Sequence, residues 1–369
     1  MAFSVLFGSM RSKRKAEIGK GRYIGLLLMA SGLFVLIFLF RLSPTISEWY
    51  IRVIYPLVAV VLSFFSNLFP FSLFDLFLIG AVLLLIKMIV TAIIRRITFI
   101  HFLFSLIRFI TVIVAWFYFS WGIAYFREDF YDRSNISEKK FDPEIFRDFV
   151  IEFIENANFY YVDYRDMEQE EVRQKIESSY QALYQQLRIS HLNGKRRPKP
   201  MMCEGAYSKM GVSGYFGPFF NEIHVNNYSL NYTYPFTLAH EMAHQFGVAM
   251  ESEANLYGFL ACACSSDEKI RYSAYVSTLG YLLSDMRKFL PDEYNRLVST
   301  IRPEIIADLQ RNREHWLAAR DDSLSEAQDK VYDAYLKTNK VTSGQANYSE
   351  VVGLLVSTLS TPDISRLLR

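Results

Sequence analysis

The chain has 369 residues, 51% of them hydrophobic and 21% charged, with a formal net charge of +2 at pH 7 and 3 cysteines. Too few cysteines are present for a disulfide framework, and the composition is not that of a disordered chain. The average conceals two materials: residues 1–126 hold 12 Lys+Arg against 3 Asp+Glu, a balance of +9, whereas residues 127–369 hold 28 against 35, a balance of −7.

The first half, residues 1–126, reads as a membrane domain. Tyr23 to Phe40 carries no charge and follows Arg11, Lys13, Arg14, Lys15, Lys20 and Arg22, the pattern of a signal anchor rather than a cleaved signal peptide. Residues 71–94 and 99–126 make two further spans, with Lys87 and Arg108 placed to snorkel toward an interface. Residues 51–69 are apolar but interrupted by Arg52, Pro56, Ser63, Ser66 and Asn67. With the basic N-terminus in the cytoplasm, three spans keep Arg95-Arg96 on the same side, and a fourth would export that pair. Three spans are therefore expected, with 51–69 lying along or dipping into the outer surface, and residues 127–369 forming an extracytoplasmic domain.

In that domain, Asp142 to Asn158 predicts a helix with Phe146, Phe149, Val150, Phe153 and Ile154 on one face, and Arg165 to Leu187 a charged surface helix striped by Val172, Ile176, Tyr180, Leu183 and Leu187. The loop from His191 to Pro200 holds Lys195, Arg196, Arg197 and Lys199, a poor nucleic-acid footprint in a domain of net negative charge. Residues 200–210 and 222–226 have the lengths of strands, and 211–218 has turn chemistry throughout. After Cys264 the chain reads as helix broken at Pro291, Pro303 and Pro362, with Tyr281, Leu282, Met286 and Phe289 as core.

Between these lies the pentapeptide His240-Glu241-Met242-Ala243-His244. Pro235 can open a helix and Gly247 can close it. Residues four apart on a helix stack, so the two imidazoles can share one zinc ion while Glu241 points beside it. A catalytic zinc wants a third protein ligand and an open position, where water becomes acidic enough for a neighbouring carboxylate to take its proton. Glu251 and Glu253 compete for the third place. Glu251 shares a stripe with Asn255, Gly258 and Cys262, small enough to let a second helix lie close, whereas Glu253, with Tyr257 and Leu260, looks like packing or a solvent edge. Glu251 is favoured, with Asn255 orienting a histidine. Cys262 and Cys264 point to different faces and are poor zinc candidates.

His-Glu-x-x-His followed by Glu-x-x-x-Asn resembles the gluzincin metallopeptidases. The resemblance implies His240, His244 and Glu251 as zinc ligands, Glu241 as general base and Asn255 as support, in a mostly α-helical α+β zincin-like domain with a small sheet before the active-site helix. Two departures stand out: Asn255 replaces the usual Asp, and only six residues separate His244 from Glu251. The metzincin pattern fails because Met250 stands where it needs histidine. In zincins a strand ahead of the active-site helix pairs with extended substrate, which points to Ile223 to Asn226, with His224 satisfied inside that strand. His315, Tyr335 and Tyr348 are the candidates to stabilise an oxyanion. Ser213 to Phe216, Asn221 to Ile223, the His240 to Asn255 block, and Tyr332 to Asn339 with Tyr348 make the whole chain similar to an uncharacterised bacterial membrane family. The expectation is a zinc peptidase of the bacterial inner membrane acting on envelope proteins or peptides. The alternative is a non-enzymatic envelope protein with a structural or sensory zinc, which would have no use for Glu241.

Overall fold

The computed structural model describes residues 2–163, 167–186, 188–189, 196–341 and 350–367. In the apolar half α1 (Ala2–Leu42), α2 (Pro44–Trp49), a π turn (Tyr50–Ile54), α3 (Tyr55–Asn67), α4 (Leu73–Ile94) and α5 (Phe99–Ser120) follow one another. Among the described residues four stretches are long and apolar enough to cross a membrane: Tyr23–Leu42, Pro44–Asn67, Leu73–Ile94 and Phe99–Ser120. That is one more than expected. Arg52 does not interrupt Pro44–Asn67 because it pairs with Glu48 one turn earlier, and Pro56 directly follows the π turn, whose wider winding accommodates a residue that has no N–H. The third expected span ends early, at Ser120 rather than residue 126, since Trp121 leaves the helix and Gly122 turns so tightly that a Cβ there would run into the Phe117 ring.

Pro44–Asn67 has two faces. Tyr50, Ile51, Tyr55, Ala59, Leu62 and Ser66 are buried at helical spacing, while Leu57, Val60, Val61, Phe64, Phe65 and Leu68 are exposed. Both ends of this stretch touch the second half of the chain. Glu48 near its start accepts from the buried Arg127 at 2.7 and 2.9 Å, and the Ser66 carbonyl at its end accepts from Lys199 at 2.6 Å. The same half also holds the C-terminal end of α1, through Arg41 to the Thr338 carbonyl. It holds the N-terminus of α4 through Glu222, which accepts from the Leu73 and Phe74 amides at 3.2 and 2.9 Å. Tyr23, where the apolar part of α1 begins, stacks on Phe104 near the start of α5. Lys87 and Arg108 are both exposed.

The second half adds α6 (Phe130–Ser134), α7 (Pro143–Phe159), α8 (Gln169–Leu183) and α9 (Glu204–Lys209), then an antiparallel hairpin of β1 (Gly214–Gly217) and β2 (Glu222–Val225). There follow α10 (Tyr234–Gln245), α11 (Glu251–Ala263), α12 (Glu268–Phe289), α13 (Tyr294–Val298), α14 (Pro303–Ala319), α15 (Asp322–Thr338), α16 (Val351–Leu359) and α17 (Pro362–Leu367). The result is mostly helical with a small two-stranded sheet. α7 starts where Asp142 caps it, accepting from the Glu144 and Ile145 amides. α8 buries Val172, Ile176, Tyr180 and Leu183; Leu187 and Arg165 lie outside the described residues. Pro303 and Pro362 start helices rather than merely interrupt them. Phe289, expected in the core, is 37% exposed.

Two strand assignments change. Residues 204–209 are helical, not extended, and the presumed turn 211–218 contains β1. Gly214-Tyr215-Phe216-Gly217 reads as a turn because of its glycines, yet both are there for close approach. A Cβ on Gly214 would lie 2.7 Å from Glu241 Oε1, and one on Gly217 would lie 2.8 Å from Phe74 Cγ. The buried core is continuous across residue 127: Tyr50, Ile51, Tyr55 and Trp121 to Phe126 belong to the same cluster as the interior of α10 and α11.

Candidate metal centre

Every residue of α10 and α11 is buried, so their polar side chains need partners inside the protein. The two helices cross closely at Gly258, where a Cβ would lie 3.2 Å from the His240 amide nitrogen. The small-residue stripe on α11 thus has the role expected of it. The connector is as short as it can be because Gly247 takes φ +83, a left-handed conformation that glycine adopts without strain.

His240, His244 and Glu251 come together, their ligand atoms all within 4.8 Å of one another. His240 Nε2 and His244 Nε2 are 3.1 Å apart, and Glu251 Oε2 lies 3.1 Å from the first and 3.3 Å from the second. A tetrahedral ion with ligands at about 2.0–2.1 Å has ligand-to-ligand edges of about 3.3 Å, which this triangle matches. The hydrogen bonds behind the rings decide what the triangle is made of. His244 Nδ1 faces the Val248 carbonyl at 2.8 Å, an atom that can only accept, so Nδ1 carries the hydrogen and Nε2 offers a lone pair. His240 Nδ1 donates to Asn255 Oδ1 at 2.9 Å, with the same consequence. Three buried acceptors then converge with no donor between them. A cation fits that donor set; so, in its absence, does a proton. Burial opposes charging His244, but the Glu251 carboxylate beside it outweighs burial and raises the imidazole to about 9. Burial would likewise raise Glu251, and the two histidines hold it well below the usual carboxylate range.

Glu241 lies beside this triangle. Its carboxylate is buried, Oε1 is pressed against Gly214 of β1, and Oε2 has no hydrogen-bond partner among the described residues. Burial pushes it up to about 7, with the two histidines pulling the other way and Glu251 adding to the rise.

Glu253 is neither solvent edge nor apolar packing. It forms a buried ion pair with Arg133, which is itself buried on α6. Tyr332, on α15, donates its hydroxyl to Glu251 Oε1, a partner that residue spacing did not single out. Its one trace in the sequence is that the segment carrying the family resemblance opens on this tyrosine. The candidate oxyanion donors fare differently. His315 is engaged by the Tyr228 carbonyl and stacks on that ring at 3.9 Å. Tyr335 packs edge-on to Tyr125 at 5.7 Å and stacks on Tyr332 at 5.9 Å. Tyr348 lies outside the described residues.

The strand expected to receive substrate, Ile223 to Asn226, cannot do so. β2 is buried throughout, pairs with β1 on one side, and meets Lys199 in a parallel bridge at His224 on the other. Among the described residues no other strand pairs with β1, whose Gly214 lies against Glu241. His224 is satisfied, its Nε2 on Ser72 Oγ at 2.9 Å and its ring stacked on Tyr215 at 4.2 Å. Of the basic loop, Arg197 is exposed and two others serve the fold. Arg196 pairs with Glu177 and covers the Phe246 ring, Lys199 is buried against three carbonyls, and Lys195 lies outside the described residues.

The end of α10 is tied to the membrane half. Its terminal carbonyls need donors, and they receive Trp121 Nε1 on His244 O at 2.9 Å, the Tyr55 hydroxyl on Gln245 O at 2.7 Å and Arg127 Nη1 on Gly247 O at 2.8 Å. A cavity of about 710 Å³ opens on the far side of α11, lined by Arg127, Phe130, Arg133, Glu253 and Lys340 among others. None of the three converging residues lines it.

Apolar N-terminal helices joined to a mostly helical domain around a buried His-His-Glu triangle define the class. Residues 50–356 match the family described as "Protein of unknown function (DUF3810)", and the chain belongs to that family. No curated protein and no solved structure matches it.

Proposed function

We propose that the chain is a membrane-anchored zinc metallopeptidase of the bacterial inner membrane, with its zincin-like domain extracytoplasmic and its N-terminus cytoplasmic. The observation that carries the proposal is the convergence of three buried acceptors on one point beside a buried carboxylate whose Oε2 has no hydrogen-bond partner among the described residues. When bound by His240, His244 and Glu251, zinc supplies Lewis-acid polarisation of a carbonyl and a lowered pKa for water. Glu241, buried beside the triangle, would take the proton of the attacking water and return it to the leaving amine. β1 holds an extended peptide past Glu241 by strand addition, and Asn255 and the Val248 carbonyl keep both imidazoles in the ligand tautomer. A purely structural zinc would leave the burial of Glu241 without a purpose.

The location rests on two supports. Basic residues precede Tyr23 and recur at Arg95-Arg96, which three spans place together in the cytoplasm. Both ends of Pro44–Asn67 touch the same domain as the end of α1 and the start of α4, so this fourth helix lies along the outer surface with its exposed apolar face toward lipid.

The test is Glu241→Gln in the full-length chain. Zinc content and thermal stability should stay near wild type, while cleavage of envelope proteins, mapped by their new N-termini, falls about a hundred- to ten-thousandfold. Identical N-terminal maps in wild-type and variant cells, with zinc bound to both, would overturn the peptidase reading in favour of a structural zinc.

A further inference from the structure

The hairpin that carries the free strand edge is fastened to the membrane helices. Phe219, in the turn between β1 and β2, packs on Phe77 at 4.5 Å and on Phe74 at 5.9 Å. Its carbonyl accepts from Trp116 Nε1 of α5 at 3.0 Å. Glu222, the first residue of β2, caps the amides that open α4, and the Tyr215 hydroxyl of β1 donates to Asp75 in the first turn of α4 at 2.6 Å. One end of β1 therefore sits against the first turn of a span, where Gly217 meets Phe74, and the other end sits against Glu241, where Gly214 meets its carboxylate. Exposed aromatic side chains lie on the segments that meet this base, Trp116 and Phe119 on α5 and Phe69 and Phe71 just before α4, as they do at a membrane interface.

We infer that the unpaired edge of β1 receives the juxtamembrane segment of a membrane-anchored polypeptide, and that cleavage falls about three residues, or about 10 Å of extended chain, outside the bilayer surface. This rests on the peptidase reading of the same site. A peptide added to β1 is led from the zinc triangle directly to the start of α4, so a substrate already fixed in the bilayer presents its first extended residues to the strand. Anchoring also confines substrate and enzyme to one surface, raising their effective concentration.

The test uses the full-length chain, loaded with zinc and reconstituted in phospholipid vesicles. It is offered a synthetic single-span helix bearing a twelve-residue extension of randomised sequence, or the same extension without the span. The anchored form should be cut about a hundredfold faster, within about five residues of the span, and a five-residue spacer inserted beside the span should leave that distance unchanged. A second readout needs no turnover: the Glu241→Gln chain with a photocrosslinking residue in place of Ser213 should capture the anchored extension near its membrane end and leave the free one unlinked. Equal cutting and capture of both forms, or cut sites that follow sequence rather than distance, would overturn this inference while leaving a peptidase. Cleavage of neither form by the wild-type chain would sink both.

Discussion

Glu251 and Glu253 are two residues apart, both buried, and assigned opposite work, so alanine at each should give crossed phenotypes. Glu253→Ala leaves the Arg133 guanidinium buried without its carboxylate, and Arg133 Nε already lacks a partner. Breaking a buried ion pair by removing one member costs about 3–5 kcal/mol. Glu251→Ala leaves the Tyr332 hydroxyl without its acceptor, about 1–3 kcal/mol, but removes the only anionic member of the triangle. Zinc affinity should then fall by more than the 10- to 100-fold that losing an outer partner costs. In the full-length chain purified in detergent, elemental analysis should find zinc retained in Glu253→Ala and lost in Glu251→Ala, while the thermal midpoint ranks them the other way. If Glu253→Ala is too unstable to purify, Arg133→Met with Glu253→Leu replaces the pair by apolar groups and should restore stability with zinc still bound. Zinc lost from a folded Glu253 variant and kept by Glu251→Ala would refute the ligand assignment.

Tyr332→Phe removes only a hydroxyl, and it should weaken zinc retention about 10- to 100-fold in a chelator titration with little loss of stability; unchanged retention would make this contact incidental. Burial pushes His224 from its ordinary 6.5 down to about 4. Between those values the unfolded chain binds a proton that the folded chain refuses, so stability should fall as pH drops through this window, by up to about 3 kcal/mol. His224→Gln, which keeps a donor and an acceptor, should flatten that dependence in detergent thermal melts; an unchanged slope would assign it elsewhere. A reporter fused after Arg127 should report an extracytoplasmic position, whereas a cytoplasmic signal would mean that Pro44–Asn67 crosses the bilayer.

What could be read from the residues alone was whatever depends on helical spacing. His240, His244 and Glu251 meet as their positions on two helices require, and Gly258 permits the approach that brings them together. What could not be read was everything that depends on partners far along the chain. Glu253 looked like packing because nothing near it in sequence announces Arg133, 120 residues earlier. β1 looked like a turn because the purpose of Gly214 and Gly217 is visible only once Glu241 and Phe74 stand against them. Arg52 and Pro56 looked like interruptions because their effect on a helix depends on Glu48 and on where the π turn ends.

The six-residue connector between His244 and Glu251, a departure from the longer segment of most gluzincins, has a physical account in this chain. Gly247 reverses direction in one residue, and the Val248 amide returns to the Ala243 carbonyl at 3.2 Å. That fold-back brings the Val248 carbonyl onto His244 Nδ1, so the connector itself supplies the acceptor that fixes the second histidine. A short connector has few contacts of its own, and its rigidity comes from outside. Arg127 holds the Gly247 carbonyl, and Ile51 and Tyr55 pack on Gly247 from the apolar half, within 3.0 and 3.3 Å of where a Cβ would stand. The geometry of the triangle is thus set partly by residues that composition alone would assign to the membrane. It follows that a fragment beginning at residue 127 loses Trp121, Tyr55 and Glu48 together, taking the Tyr55 hydroxyl from the Gln245 carbonyl, leaving the His244 carbonyl only the Gly247 amide, and depriving the Arg127 guanidinium of its carboxylate. Such a fragment should bind zinc poorly even though it contains every ligand.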